Sequence, residues 1–128
     1  MSRLSRTLSK LKRQKKKSLV TFLVAGDPDL DQSLDLMISM AESGVDVIEL
    51  GVPVSDPEAE GPIIKKAHER ALRKDISLNS IFDLVTRFRE TNSATPVILM
   101  GYMESLETIG FEDFSKNAAD AGVDGIIL

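Results

Sequence analysis

The chain has 128 residues, no cysteine and a formal net charge of −4. That length suits one domain with a real core. The lack of cysteine excludes disulfides, thiolate metal sites and a Cys nucleophile, and it fits a reducing, cytoplasmic compartment. With 42% hydrophobic residues, a mean hydropathy of −0.04 and no apolar run near the ~20 residues of a membrane span, the composition reads as soluble and globular.

The charge is unevenly spread. Arg3, Arg6, Lys10, Lys12, Arg13, Lys15, Lys16 and Lys17 precede the first acidic residue, Asp27, and everything after them is strongly acidic. A nucleic-acid patch would want aromatic residues to stack on bases, and this segment has none. An acid-free, Arg- and Ser-containing start also fits an organellar transit peptide. A third reading is a short surface helix over 1–17, with Leu4, Leu8 and Leu11 on one apolar stripe and the basic residues in solvent. The spacing favours this helix, so neither a nucleic-acid nor a membrane partner is expected. Leu19–Ala25 is too short and too soon broken by Gly-Asp-Pro-Asp to be a secretory signal.

From residue 18 onward strands and helices alternate. Leu19–Ala25 is a continuous apolar run, the pattern of a parallel strand buried on both faces. Gly26-Asp27-Pro28 ends it. A helix follows from about Asp31, with Leu34, Met37, Ile38 and Ala41 on one face and Gly44 as its stop. Val45–Gly51 is a second strand. Pro62 opens a helix whose buried face is Ile64, Ala67, Ala71 and Leu72. Ser77 caps another, with Ile81, Leu84, Val85 and Phe88 facing inward. Pro96–Met100 is a third strand, leading into Gly101-Tyr102. Phe111, Phe114, Ala118 and Ala121 mark a last helix closed by Gly122, and Val123–Leu128 is a fourth strand.

An internal repeat supports a cyclic architecture. Ala41-Glu-Ser-Gly-Val-Asp-Val-Ile-Glu-Leu50 matches Ala119-Asp-Ala-Gly-Val-Asp-Gly-Ile-Ile-Leu128, so Gly44 corresponds to Gly122. Each copy is a helix end, a glycine cap and a strand. Glu49 in the first copy corresponds to Ile127 in the second. An aliphatic residue therefore suits that strand position, and packing alone does not explain the acid. A carboxylate in an apolar strand is costly to desolvate unless it is paired. A Pro-rich loop with Asp56, Glu58 and Glu60 follows directly. Two carboxylates at the end of a parallel strand suit acid/base chemistry; a structural carboxylate held by Lys or backbone N–H groups is the alternative.

Four βα units cannot close a (β/α)₈ barrel, which takes eight strands and about 250 residues. The expected fold class is α/β: the first four βα units of a TIM barrel with an N-terminal capping helix, a half-barrel. The apolar strand at Ile126-Ile127-Leu128 is then an edge that invites pairing, including with a second copy.

Several segments carry a family resemblance: Phe22, Ala25-Gly-Asp-Pro28, Ile48-Glu-Leu-Gly-Val-Pro53, Ser55-Asp-Pro57, Ala59-Glu-Gly-Pro62, Met100-Gly-Tyr102 and Ala121-Gly-Val-Asp124. Together they resemble the N-terminal half of the tryptophan synthase α subunit along the whole chain. The resemblance implies a TIM barrel that cleaves indole-3-glycerol phosphate to indole and glyceraldehyde-3-phosphate by a retro-aldol reaction. It implies that Glu49 is the acid/base residue, that Glu60 accepts the indole N–H, and that Phe22, Met100 and Tyr102 line the indole pocket. It further implies that the loop from Pro53 to Glu60, with Pro53 and Asp56, touches a β subunit in an α2β2 heterotetramer. No metal and no cofactor belong to this chain in that reading; the family's β subunit carries pyridoxal phosphate.

Four positions depart from the family pattern. Glu60 stands where Asp is usual, one methylene longer, and such a displacement of a catalytic group can cost about 10²-fold in rate. Val54 replaces an aromatic residue, Glu58 an apolar one and Glu104 an Asn. The added acids repel an anionic, phosphorylated substrate. His68, among Lys65, Lys66, Glu69 and Arg70, is expected on the outward side of its helix with no metal-ligand partners.

Overall fold

The computed structural model describes every residue from Met1 to Leu128. Its elements run α1 (Arg3–Arg13), β1 (Val20–Val24), α2 (Leu30–Glu42), β2 (Val47–Gly51), α3 (Pro62–Leu72), α4 (Leu78–Arg89), β3 (Val97–Met100), α5 (Met103–Glu107), α6 (Phe111–Ala121) and β4 (Gly125–Ile127). The strands form one parallel sheet in the order β1-β2-β3-β4. This is the order of successive βα units in a barrel, so the molecule is a four-unit partial TIM barrel. The short helix α5 has no counterpart in the periodicity of the sequence.

The pleat sorts side chains between two faces. Leu23, Ala25, Ile48, Leu50, Val52, Val97 and Leu99 point to the outer layer and pack on Met37, Ile81, Leu84, Val85, Phe88, Phe114 and Ala118 of α2, α4 and α6. Phe82 and Phe114 meet with ring centroids 5.7 Å apart and join α4 to α6. The alternate residues line the inner face. There a smaller cluster of Val24, Ala67 and Ala71, with Phe22 and Ile64, seats α3 against β1. Helices α3 and α5 interrupt the β2–α4 and β3–α6 connections at the carboxyl ends of the strands.

The caps explain where helices begin. Asp29 accepts the Gln32 N–H at 2.8 Å and starts α2. Ser77 caps α4, as the sequence leads one to expect, and Ser80 completes a reciprocal capping box with it. Gly26 needs its lack of a side chain twice over: its φ is +89°, and a Cβ there would come within 2.5 Å of Ile76 Cγ1.

The repeat has a structural purpose. The Asp46 carboxylate accepts the Leu19 N–H at 2.8 Å while the Asp46 N–H donates to the Leu19 carbonyl at 2.9 Å. Its counterpart Asp124 does the same with Val97, both bonds 2.8 Å. Each repeated Asp thus clamps the start of the preceding strand. Asp124 also binds Arg89 at 2.9 Å and Arg3 of α1, which draws α1 toward the amino ends of β3 and β4.

Several expectations need correction. Helix α1 covers Arg3–Arg13 rather than 1–17; Leu4 and Leu11 are half-buried, but Leu8 is 44% exposed and outside the stripe. β1 is not buried along its length, since Leu19 and Val20 are exposed on the edge of the sheet. Phe111 sits in the first turn of α6 with its ring exposed, and Leu72 at the end of α3 faces solvent. His68 is not outward at all; it is 2% exposed. Its position follows the period of α3, because Ile64, Ala67, His68 and Ala71 recur at i, i+3, i+4 and i+7.

Candidate active site

Parallel strands place all their carboxyl ends at one rim, and barrel proteins build their sites there. At that rim lies a cavity of about 530 Å³. Its wall is mostly apolar: Val52, Ala59, Met100, Gly101, Tyr102, Met103, Ile127 and Leu128. Besides the Tyr102 phenol, three side chains bring ionisable groups to it: Glu60, His68 and Glu104. Of the residues expected from sequence, Glu60, Met100 and Tyr102 meet here.

Glu49 and Phe22 sit deeper on the same face. Phe22, Glu49 and Ile98 are register partners, and two residues further along their strands are Val24, Gly51 and Met100. Glu49 is therefore one inward-facing row below the cavity rim, partly exposed among otherwise buried β2 residues. A Cβ on Gly51 would lie 2.8 Å from Phe22 Cζ, so the Phe22 ring lies across the inner face toward β2. The absence of a side chain at Gly51 is what gives that ring its place.

The loop after β2 distributes its residues unevenly. Asp56 and Glu58 are in solvent. Pro53 is buried, in the wall of a separate cavity lined also by Ile76, Ile81 and Ile109. Of the two residues expected at a partner interface, Asp56 is on the surface and Pro53 is shielded. Glu104, at the start of α5, shares the main cavity with Glu60 and adds negative charge there.

His68 is the residue that sequence reasoning misplaced. The Val54 N–H donates to its Nδ1 at 3.0 Å. Its Nε2 lies 2.6 Å from Glu60 Oε2. Both of those facing atoms are buried, and they do not meet as an aligned hydrogen bond. Val54 thus contributes its backbone N–H to this site. The β1–α2 turn is tied to α3 by Arg70, whose guanidinium binds the Asp27 carboxylate through two bonds of 2.7 and 2.9 Å; that hydrogen bonding raises the Arg70 pKa above its ordinary value.

A helix-backed parallel sheet with inward carboxylates and an apolar cavity at its carboxyl rim defines an α/β-barrel protein with its site in the mouth. The particular family is equally clear: the chain belongs to the tryptophan synthase alpha chain family, whose model matches residues 8–128. The tryptophan synthase alpha chain of Hydrogenovibrio crunogenus is 51% identical over 127 residues, covering 99% of this chain and 47% of that one. That of Cupriavidus metallidurans is 50% identical over 128 residues, covering 48% of its length. The crystal structure of tryptophan synthase subunit alpha from Legionella pneumophila superposes with a TM-score of 0.98 at 47% identity, over all of this chain and 49% of that one. A chain of the tryptophan synthase a2b2 complex from Pyrococcus furiosus superposes at 0.81 and 39% identity, over 85% of this chain. The chain thus spans about half the length of the relatives it matches.

Proposed function

We propose that this chain carries the acid/base half of a lyase that cleaves indole-3-glycerol phosphate in tryptophan biosynthesis. The observation that carries the reading is the cavity at the strand ends, where Glu60, Met100 and Tyr102 converge above Glu49 on one sheet face. In the retro-aldol step, indole C3 gains a proton, the bond from C3 to the glycerol carbon breaks, and the hydroxyl on that carbon loses its proton as the aldehyde forms. Glu49 is assigned both proton transfers. Glu60 accepts the ring N–H and stabilises the positive charge that develops on the ring nitrogen. Met100 and Tyr102 supply the apolar wall for a flat heteroaromatic group. No cofactor enters this step. A β-type subunit is the proposed partner, meeting the exposed loop around Asp56, and the cytoplasm is the proposed compartment.

The phosphate is the part these four units do not serve. Barrel enzymes usually hold it with the loops after strands seven and eight, and the acids Glu60 and Glu104 in the cavity wall do not suit an anion. The 128-residue chain alone is expected to release indole at well under 1% of the rate of a complete α subunit, since misplaced binding groups cost about 10²-fold or more. A steady-state assay for indole release decides this. A rate close to the complete subunit's would refute the expectation.

A second reading has its own observation. Leu19 and Val20 on β1, and Ile126, Ile127 and Leu128 on and beside β4, are exposed at the two edges of the sheet. Such edges support self-association of two half-barrels without catalysis.

A further inference from the structure

The geometry points to His68 as a positioning residue for Glu60: a Val54–His68–Glu60 relay in which the backbone sets the imidazole and the imidazole sets the carboxylate. The inference rests on the reading of Glu60 as the acceptor in the cavity. Three facts carry it. His68 is almost wholly buried on the inner face of α3. Its Nδ1 accepts the Val54 N–H, so in the neutral ring the only proton is on Nε2. Nε2 faces Glu60 Oε2 across 2.6 Å, and neither atom has another partner.

Two bare lone pairs at that distance would repel, whereas one proton between them makes a charge-assisted bond. The two atoms are close in the structure but not aligned as a hydrogen bond, and the relay requires the Glu60 carboxylate to turn into line with the Nε2–H. One oxygen of Glu60 is then committed to His68, and the other faces the cavity as an acceptor. The arrangement also accounts for the extra methylene of Glu60, which is held by a buried donor rather than left to swing. A histidine that merely filled space would need no aligned N–H donor at one nitrogen and no carboxylate beside the other.

His68 is the only histidine in the chain, so its imidazole signals need no assignment. Nitrogen-15 NMR on the intact chain is expected to show the proton on Nε2 and a bare Nδ1. The Nε2–H is expected to exchange slowly with solvent, and about tenfold faster in Glu60→Ala, the factor for losing a bond to a charged group. A proton on Nδ1, or exchange unchanged in Glu60→Ala, overturns the inference. Titration with indole and with 1-methylindole gives an independent readout. Glutamine keeps one acceptor and one donor, so His68→Gln should retain the preference for indole. His68→Leu should lose roughly tenfold in indole affinity and leave 1-methylindole unchanged. Equal losses for both ligands would mean packing only and would also overturn it, as would an undiminished preference in His68→Leu. If neither ligand binds while the NMR pattern holds, the lyase reading falls and the orientation of Glu60 by His68 stands.

Discussion

Single residues in this chain show how little a type says without its partners. Asp29 and Glu60 are both acids in loops ahead of helices. Asp29 caps α2, and the Gln32 N–H, followed by the Gln32 side chain, holds its carboxyl below the ordinary value of 3.8 despite an opposing desolvation effect. The folded value is lower than the unfolded one, so the cap contributes fully above 3.8 and is lost as pH falls through the folded value. The difference in urea midpoint between the wild type and Asp29→Ala should therefore be present at neutral pH and shrink in acid. A difference that persists unchanged well below 3.8 would contradict this origin of the cap. Glu60 has no such local partner. It leans on His68 eight residues later, which only the first two turns of α3 bring back beside it.

The repeated helix–glycine–strand unit sets the energetics of the elements. Both copies use an Asp to clamp a neighbouring strand, yet the two clamps carry different loads. Asp46 holds one N–H at the sheet edge. Asp124 holds the Val97 N–H, Arg89 and Arg3 together, with its side chain only 5% exposed. Desolvation, with Arg3 as the next cause, pushes the Arg89 pKa down to about 10, and Asp124 partly offsets both. The charge on Arg89 thus costs the folded state at neutral pH, and removing Asp124 leaves that cost without its offset. Asp124→Ala should destabilise by about 3 kcal/mol, as expected for breaking a buried pair. Asp46→Ala should cost about 1 kcal/mol, the worth of one hydrogen bond. Urea unfolding of both variants with unchanged m-values checks the ranking; equal losses would mean that the Arg89 pairing contributes nothing.

At the scale of the molecule, four βα units make a sheet with a buried outer face and an unfinished inner one. The outer face is closed by α2, α4 and α6, while the inner face is covered only by α3 near β1. Exposed Leu19, Val20, Ile126 and Ile127 mark the edges where further strands would add. Light scattering on the purified chain should find a discrete dimer if two copies complete each other's edges. A strict monomer at micromolar concentration would remove the self-associating reading and leave the edges to other strands.

Much of this was legible from the residues in order. Local chemistry is written locally: apolar runs, Gly26, Gly44 and Gly122 as breakers, Ser77 as a cap, and the repeat that implied stacked βα units. These features need only neighbours within a turn or a strand. The carboxylate Glu49 was visible for the same reason, as an acid in an apolar run, whereas Glu60 stood out from Asp56 and Glu58 only through the family resemblance. What could not be read is which side chains meet across elements. The flanking Lys65, Lys66, Glu69 and Arg70 made His68 look solvated, although the helical period through Ile64, Ala67 and Ala71 already pointed it inward. The exposure of Leu8, Phe111 and Leu72 likewise depends on which surface each helix end overhangs. The chain order of residues decided the βα architecture and the carboxylates at the strand ends, because period and turn chemistry act over a few residues. Only the folded sheet decided that α3 returns His68 to Glu60 and that Arg3, Arg89 and Asp124 share one site, because those contacts join groups that only packing makes neighbours.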